Sequence, residues 1–115
     1  MKTKSIQIEI YYMAGCPNRR ITEKRLREVL KEVELAAEIR EVRVDPQFPV
    51  PGFLGSPTVH INGIDIEPSA RTSHWSGVRF RTYREGDQMN SAPSKQLIRQ
   101  ALLDADASLS KTANQ

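Results

Sequence analysis

Residues 5–20 read SIQIEIYYMAGCPNRR. Ile6, Ile8 and Ile10 alternate with Gln7, Glu9 and Tyr11, the period of two that marks a strand with one buried face. The pattern predicts a strand over Ser5 to Met13. Ala14-Gly15-Cys16-Pro17-Asn18 then breaks it. Pro17 suits the first turn of a helix, where a missing N–H leaves no bond unmade. From Arg19 to about Ala36, Leu26, Val29, Leu30, Val33 and the Ala36–Ala37 pair recur at helical spacing with charges between them. Glu38 to Asp45 alternates again, with Val42 and Val44 opposite Glu41 and Arg43. Strand, helix and strand at these lengths make a right-handed parallel βαβ unit.

Outward from that unit, residues 45–57 read DPQFPVPGFLGSP, with four prolines and two glycines. No long helix survives there, and at most one turn forms around Phe53. Thr58 to Ile61 reads as a third strand. Asn62-Gly63 favours a two-residue type I′ turn, and Ile64 to Glu67 reads as its antiparallel partner, so the sheet is mixed. Residues 67–91 read as an irregular or edge-strand insertion. Within it Val78, Phe80 and Thr82 alternate with Arg79, Arg81 and Tyr83, which reads as a short edge strand over Gly77 to Arg84. Ser94 to about Ala105 reads as a helix, with Leu97, Ile98, Ala101, Leu102 and Ala105 on one stripe and Ser91 or Ser94 as its cap.

The expected fold is therefore α/β: a mixed four-stranded sheet of order 2-1-3-4 with two long helices on one face. The expected core is Ile6, Ile8, Ile10, Leu26, Val29, Leu30, Val33, Val42, Val44, Leu97, Ile98 and Leu102. Gln7, Glu9, Glu41 and Arg43 are polar, so the other face is expected to be wet, or covered only by 67–90 or by a partner subunit. A single domain over 1–105 leaves 106–115 as a polar, frayed tail.

The 115 residues suit one domain, and 38% hydrophobic with 27% charged residues is ordinary for a soluble globular protein. No apolar run approaches the roughly 20 residues a membrane span needs. The amino-terminal residues lack the apolar stretch of a signal peptide, so the cytoplasm is the expected compartment. The net charge of +3, from 17 basic and 14 acidic residues mixed along the chain, does not point to nucleic acid. Cys16 is the one cysteine, which excludes an internal disulfide and a multi-cysteine zinc site. With only His60 and His74 beside it, neither a metal nor a cofactor is expected.

Gly15-Cys16-Pro17 at a helix start after a strand, and Gly55-Ser56-Pro57-Thr58 opening a hairpin strand that ends in Asn62-Gly63, resemble the thioredoxin-like superfamily, in particular small bacterial thioredoxin family proteins. The resemblance covers roughly 5–66 and 91–105 well, and 67–90 weakly. It implies a thioredoxin-like fold, with Cys16 at the helix start and Pro57 as a cis-proline facing it. Ser56, Pro57 and Thr58 would then border the substrate. Members that exchange disulfides usually carry Cys-x-x-Cys, whereas Cys16-Pro17-Asn18-Arg19 ends in arginine. The resolving thiol is missing, so the resemblance implies at most a monothiol activity.

Cys16 ahead of a helix lies near unpaired N–H groups and the positive end of the helix dipole, and Arg19 and Arg20 add charge within a turn. Both favour thiolate, the nucleophilic form. The alternative is a small inert residue left from an ancestral pair. Arg19 and Arg20 read by default as solvated helix residues; the alternatives are activators of Cys16, or anion holders for a carboxylate-bearing thiol such as glutathione or an oxyanion such as arsenate. A cis Ser56–Pro57 bond would turn the backbone of Ser56 outward for an extended thiol substrate; the alternative is an ordinary trans-proline starting a strand. His60 reads as a strand-surface residue and Trp75, beside His74, as packing or as a lid. Of Tyr11 and Tyr12, one is expected in the core and the other at the site rim. Arg79, Arg81 and Arg84 read as a solvated, guarded edge or as phosphate binders.

Three function classes stay open. The first is monothiol disulfide exchange at Cys16 with glutathione or a protein as substrate. The second is a non-catalytic module that binds a peptide or protein at the cis-proline groove. The third is a thiol ligand for a soft metal such as mercury or an arsenic species. No nucleic-acid or membrane partner is expected, and the wet sheet face would suit a homodimer.

Overall fold

The computed structural model describes residues 5–48, 50–71 and 80–113, with side chains through Ser108. His74, Trp75, Val78 and Arg79, and with them the first three residues of the expected edge strand, lie outside the described residues.

The order is β1 (Ile6–Tyr12), α1 (Arg19–Glu32), β2 (Ala37–Arg43), β3 (Thr58–Ile61), β4 (Ile64–Asp65), a 3-10 turn at Pro68–Ala70, β5 (Tyr83–Glu85), β6 (Gln88–Asn90) and α2 (Lys95–Ala113). The first four strands form one mixed sheet, β2-β1-β3-β4, in the expected order. β1 runs parallel to β2 and antiparallel to β3. Ile6, Ile8 and Ile10 of β1 and Val59 and Ile61 of β3 meet Leu26 and Val29 of α1 and Ile98, Ala101 and Leu102 of α2. Both helices therefore cover the same face. Asn62 and Gly63 both take positive φ, 52° and 81°, as the type I′ hairpin requires.

Four expectations need correction. α1 ends at Glu32, because Glu34 takes a left-handed φ of 56° and closes the helix. Leu35 N–H returns to the Leu30 carbonyl and Glu34 N–H to that of Lys31, which is the Schellman bond pattern. A glycine would have marked this stop; glutamate does not. Second, the register Ile8↔Ile39 fixes the phase of β2. Ala37 and Ile39 pack on the core and Val42 does not, while Glu41 lies on the helix side opposite Ile10. Val44 is buried, but outside the main cluster. Third, Arg81 is not on a solvated edge. It is 4% exposed, and Arg81 and Thr82 lie in no strand; Tyr83–Glu85 pairs instead with Gln88–Asn90. Fourth, α2 continues to Ala113, through most of the expected tail.

The far face is wet only in part. Gln7 and Arg40 are exposed, whereas the proline-rich loop buries Phe53 and Leu54 and brings Gly52 against His60.

Candidate functional site

β1 delivers the chain to the Cys16 loop. Met13 N–H donates to Ser56 Oγ at 2.9 Å, which ties the end of β1 to the start of β3, and the Met13 carbonyl accepts the Cys16 N–H at 3.1 Å. Gly15, at φ +80°, lets the turn close; a side chain there would meet nothing within 4 Å, so conformation alone calls for glycine. Asn18 is the N-cap of α1, its carbonyl accepting both the N–H and the hydroxyl of Thr22. The helix thus opens at Arg19. Pro17 precedes it rather than occupying its first turn, and Cys16 stands two residues before the cap. No side chain caps this end. Cys16 is partly exposed.

Arg19 turns to other partners. Its guanidinium donates to Glu41 at 2.9 Å and lies 4.5 Å over the Tyr12 ring. The hydrogen bond to Glu41 holds the Arg19 guanidinium above its ordinary pKa. The positive charge of Arg19 is therefore already balanced, whereas Arg20 is exposed and forms no ion pair among the described residues. Tyr12 sits under Arg19 beside the loop. Tyr11 lies on the opposite face, its ring 5.2 Å from that of His60.

Ser56, Pro57 and Thr58 are all buried. The Ser56–Pro57 bond is cis. Three consecutive carbonyls at this corner already accept hydrogen bonds. That of Gly55 accepts from Thr58 Oγ1 at 2.6 Å, that of Ser56 from the Arg81 N–H at 2.9 Å, and that of Pro57 from the Tyr83 hydroxyl. Ser56 also bridges Phe80 in parallel fashion. The strand edge expected to pair with a substrate is occupied by the chain's own residues 80–81.

The far side of β3 holds a cluster that sequence reasoning misses. Arg81 grips Asp65 with two hydrogen bonds, 2.7 and 2.8 Å, reaches Thr58 Oγ1 at 3.3 Å, and stands 3.6 Å from Glu67. Its guanidinium also lies 4.1 Å over the Tyr83 ring. Burial alone would lower the Arg81 pKa; the bond to Asp65 and the nearby negative groups outweigh it and raise it. Burial likewise raises the Tyr83 hydroxyl far above its ordinary value. His60, 4.0 Å from Asp65, is held below its ordinary value by burial, with Asp65 pulling the other way. The signal available in sequence was the pair Asp65 and Glu67 on a strand that alternates with Ile64 and Ile66.

Among the described residues no three His, Cys, Asp or Glu side chains are grouped to hold a metal ion, and no helix is long and apolar enough to cross a membrane. No protein-family model, no curated protein and no solved structure matches this chain. Chemically, the loop offers one accessible sulfur at the carboxyl end of the central strand, with no second thiol. His60 cannot serve as its base, since it projects from the other face of the sheet.

Proposed function

We propose that this chain is a thioredoxin-like protein whose Cys16 carries out monothiol exchange with small disulfides of glutathione size. The observation that carries the reading is the partly exposed Cys16 in a loop pinned to the Ser56–Pro57 corner by the Met13–Ser56 hydrogen bond. The strand order, the two helices on one face and the cis bond at Pro57 support the fold assignment.

In the exchange, the Cys16 thiolate attacks one sulfur of the disulfide. A bond forms between Cys16 and that sulfur, the original sulfur–sulfur bond breaks, and the second thiolate leaves and takes a proton from water. A further external thiol then attacks the mixed disulfide and frees Cys16. With Arg19 in the resolving position, no intramolecular step completes the cycle. A small substrate is favoured because the carbonyls of Gly55, Ser56 and Pro57 already accept bonds from the chain itself, which leaves an extended protein segment fewer groups to pair with. The same observation weighs against a peptide-binding module at this corner.

Intact-mass spectrometry with oxidised glutathione tests the reading. Wild type should gain one glutathione, lose it to added thiol, and show no adduct as Cys16→Ser. Insulin reduction coupled to a thioredoxin reductase should stay at background. Absence of the adduct where a cysteine peptide reacts readily would overturn the proposal.

A further inference from the structure

β2 has β1 on one side and no described strand on the other. The Val44 N–H donates to the Tyr12 carbonyl at 2.7 Å, which fixes the alternation of main-chain groups along this edge. In a parallel ladder every second residue faces the neighbour. Glu38, Arg40 and Val42 therefore face β1, and Ala37, Ile39, Glu41 and Arg43 turn their N–H and C=O groups outward. Such an edge invites pairing, and charged side chains usually guard it. Here the guards are Glu38, Arg40, Glu41 and Arg43, which carry both signs. A like-charged edge repels its own copy; this one does not in every register.

A two-fold pairing of identical antiparallel strands must be centred on a residue, because side chains opposite one another share a face of the sheet. Centring on Arg40 sets Arg40 against itself, and centring on Glu41 sets Glu41 against itself. Centring on Val42 overlaps only 41–43 of the strand. Centring on Ile39 overlaps 37–41, sets Ile39 against Ile39, and places Glu38 opposite Arg40 twice. It also puts an outward-facing main chain at the axis, where the two copies exchange a pair of N–H to C=O bonds. Glu38 is exposed and has no side-chain partner among the described residues. Arg40 already binds Glu9, and its planar guanidinium has donors for a second carboxylate.

We propose that a second copy of this chain docks antiparallel along the outer edge of β2, centred on Ile39, with Glu38 of each copy paired to Arg40 of the partner subunit. The sheet then runs continuously through both copies. The overlap is short, so the dimer is weak and dependent on concentration.

Sedimentation velocity over a concentration series, with reductant present so that Cys16 cannot crosslink, reads the association. Wild type should dimerise reversibly. Glu38→Arg and Arg40→Glu should each weaken dimerisation by roughly tenfold or more, since each turns two attractive pairs repulsive. Both positions are exposed, and circular dichroism should show each variant folded. Mixed one to one, the two variants should form a heterodimer, because arginines at 38 and 40 of one chain then face glutamates at 40 and 38 of the other. A wild type that stays monomeric up to about 1 mM, a dimer indifferent to either substitution, or a mixture that fails to associate would each overturn the proposal.

Discussion

Replacing Arg81 by methionine should cost more stability than any substitution at the Cys16 loop. Methionine keeps most of the aliphatic stem, so the loss isolates the guanidinium. The Arg81 side chain is 3% exposed, and those of Asp65 and Glu67 are 6% and 10% exposed. Solvent therefore screens little, and removing the cation strands two buried carboxylates. Breaking a buried ion pair from one side costs about 3–5 kcal/mol. For a domain of this length each kcal/mol moves Tm by about 4 °C, so the expected loss is about 12–20 °C. Thermal unfolding followed by circular dichroism at neutral pH gives the shift, and urea denaturation gives the free energy. Adding Asp65→Asn to Arg81→Met should recover part of the loss, since one stranded charge disappears, with a coupling of about 1–3 kcal/mol between the two positions. A loss below about 1 kcal/mol for Arg81→Met, or no coupling to Asp65, would refute the view that this cluster holds the far face together.

Two further outcomes follow from local geometry. Burial keeps the folded-state pKa of His60 below its unfolded value near 6.5. The unfolded chain then binds that proton more readily, so stability should fall as pH drops through that value and level off below the folded-state pKa; His60→Gln should flatten the urea-derived stability profile between about pH 7 and 5. Glu34→Gly should stabilise the protein by about 0.5–1 kcal/mol, read as a rise in urea midpoint, because glutamate at φ 56° holds a position where glycine meets no steric penalty.

The parts legible in sequence are those where one periodicity has no rival. The isoleucines of β1 define its buried face, and Asn62-Gly63 defines the hairpin. β2 resists the same reading because Ile39 and Val42 have opposite parity, and only the pairing with Ile8 decides which faces the core. The end of α1 is hidden because glutamate takes the left-handed position. The β5–β6 hairpin does carry a signal, Gly86-Asp87 between Glu85 and Gln88, but each of its strands has only three residues. At the site, the sequence marks Cys16 and the Ser56–Pro57 corner, which the structure links through Met13. It gives no hint that Arg19 binds Glu41, or that residues 80–81 fill the strand edge beside Ser56. Both depend on contacts between distant segments, which local patterns do not encode.

The rate at which Cys16 reacts with a small disulfide, compared between the native chain and the same chain unfolded in urea, tests the central claim most directly. A cysteine peptide in both solvents corrects for the solvent. If the loop ahead of α1 presents a nucleophile, the corrected native rate exceeds the unfolded one. A native rate well below the unfolded rate would mean that the fold shields an inert thiol, and would contradict the proposed exchange activity.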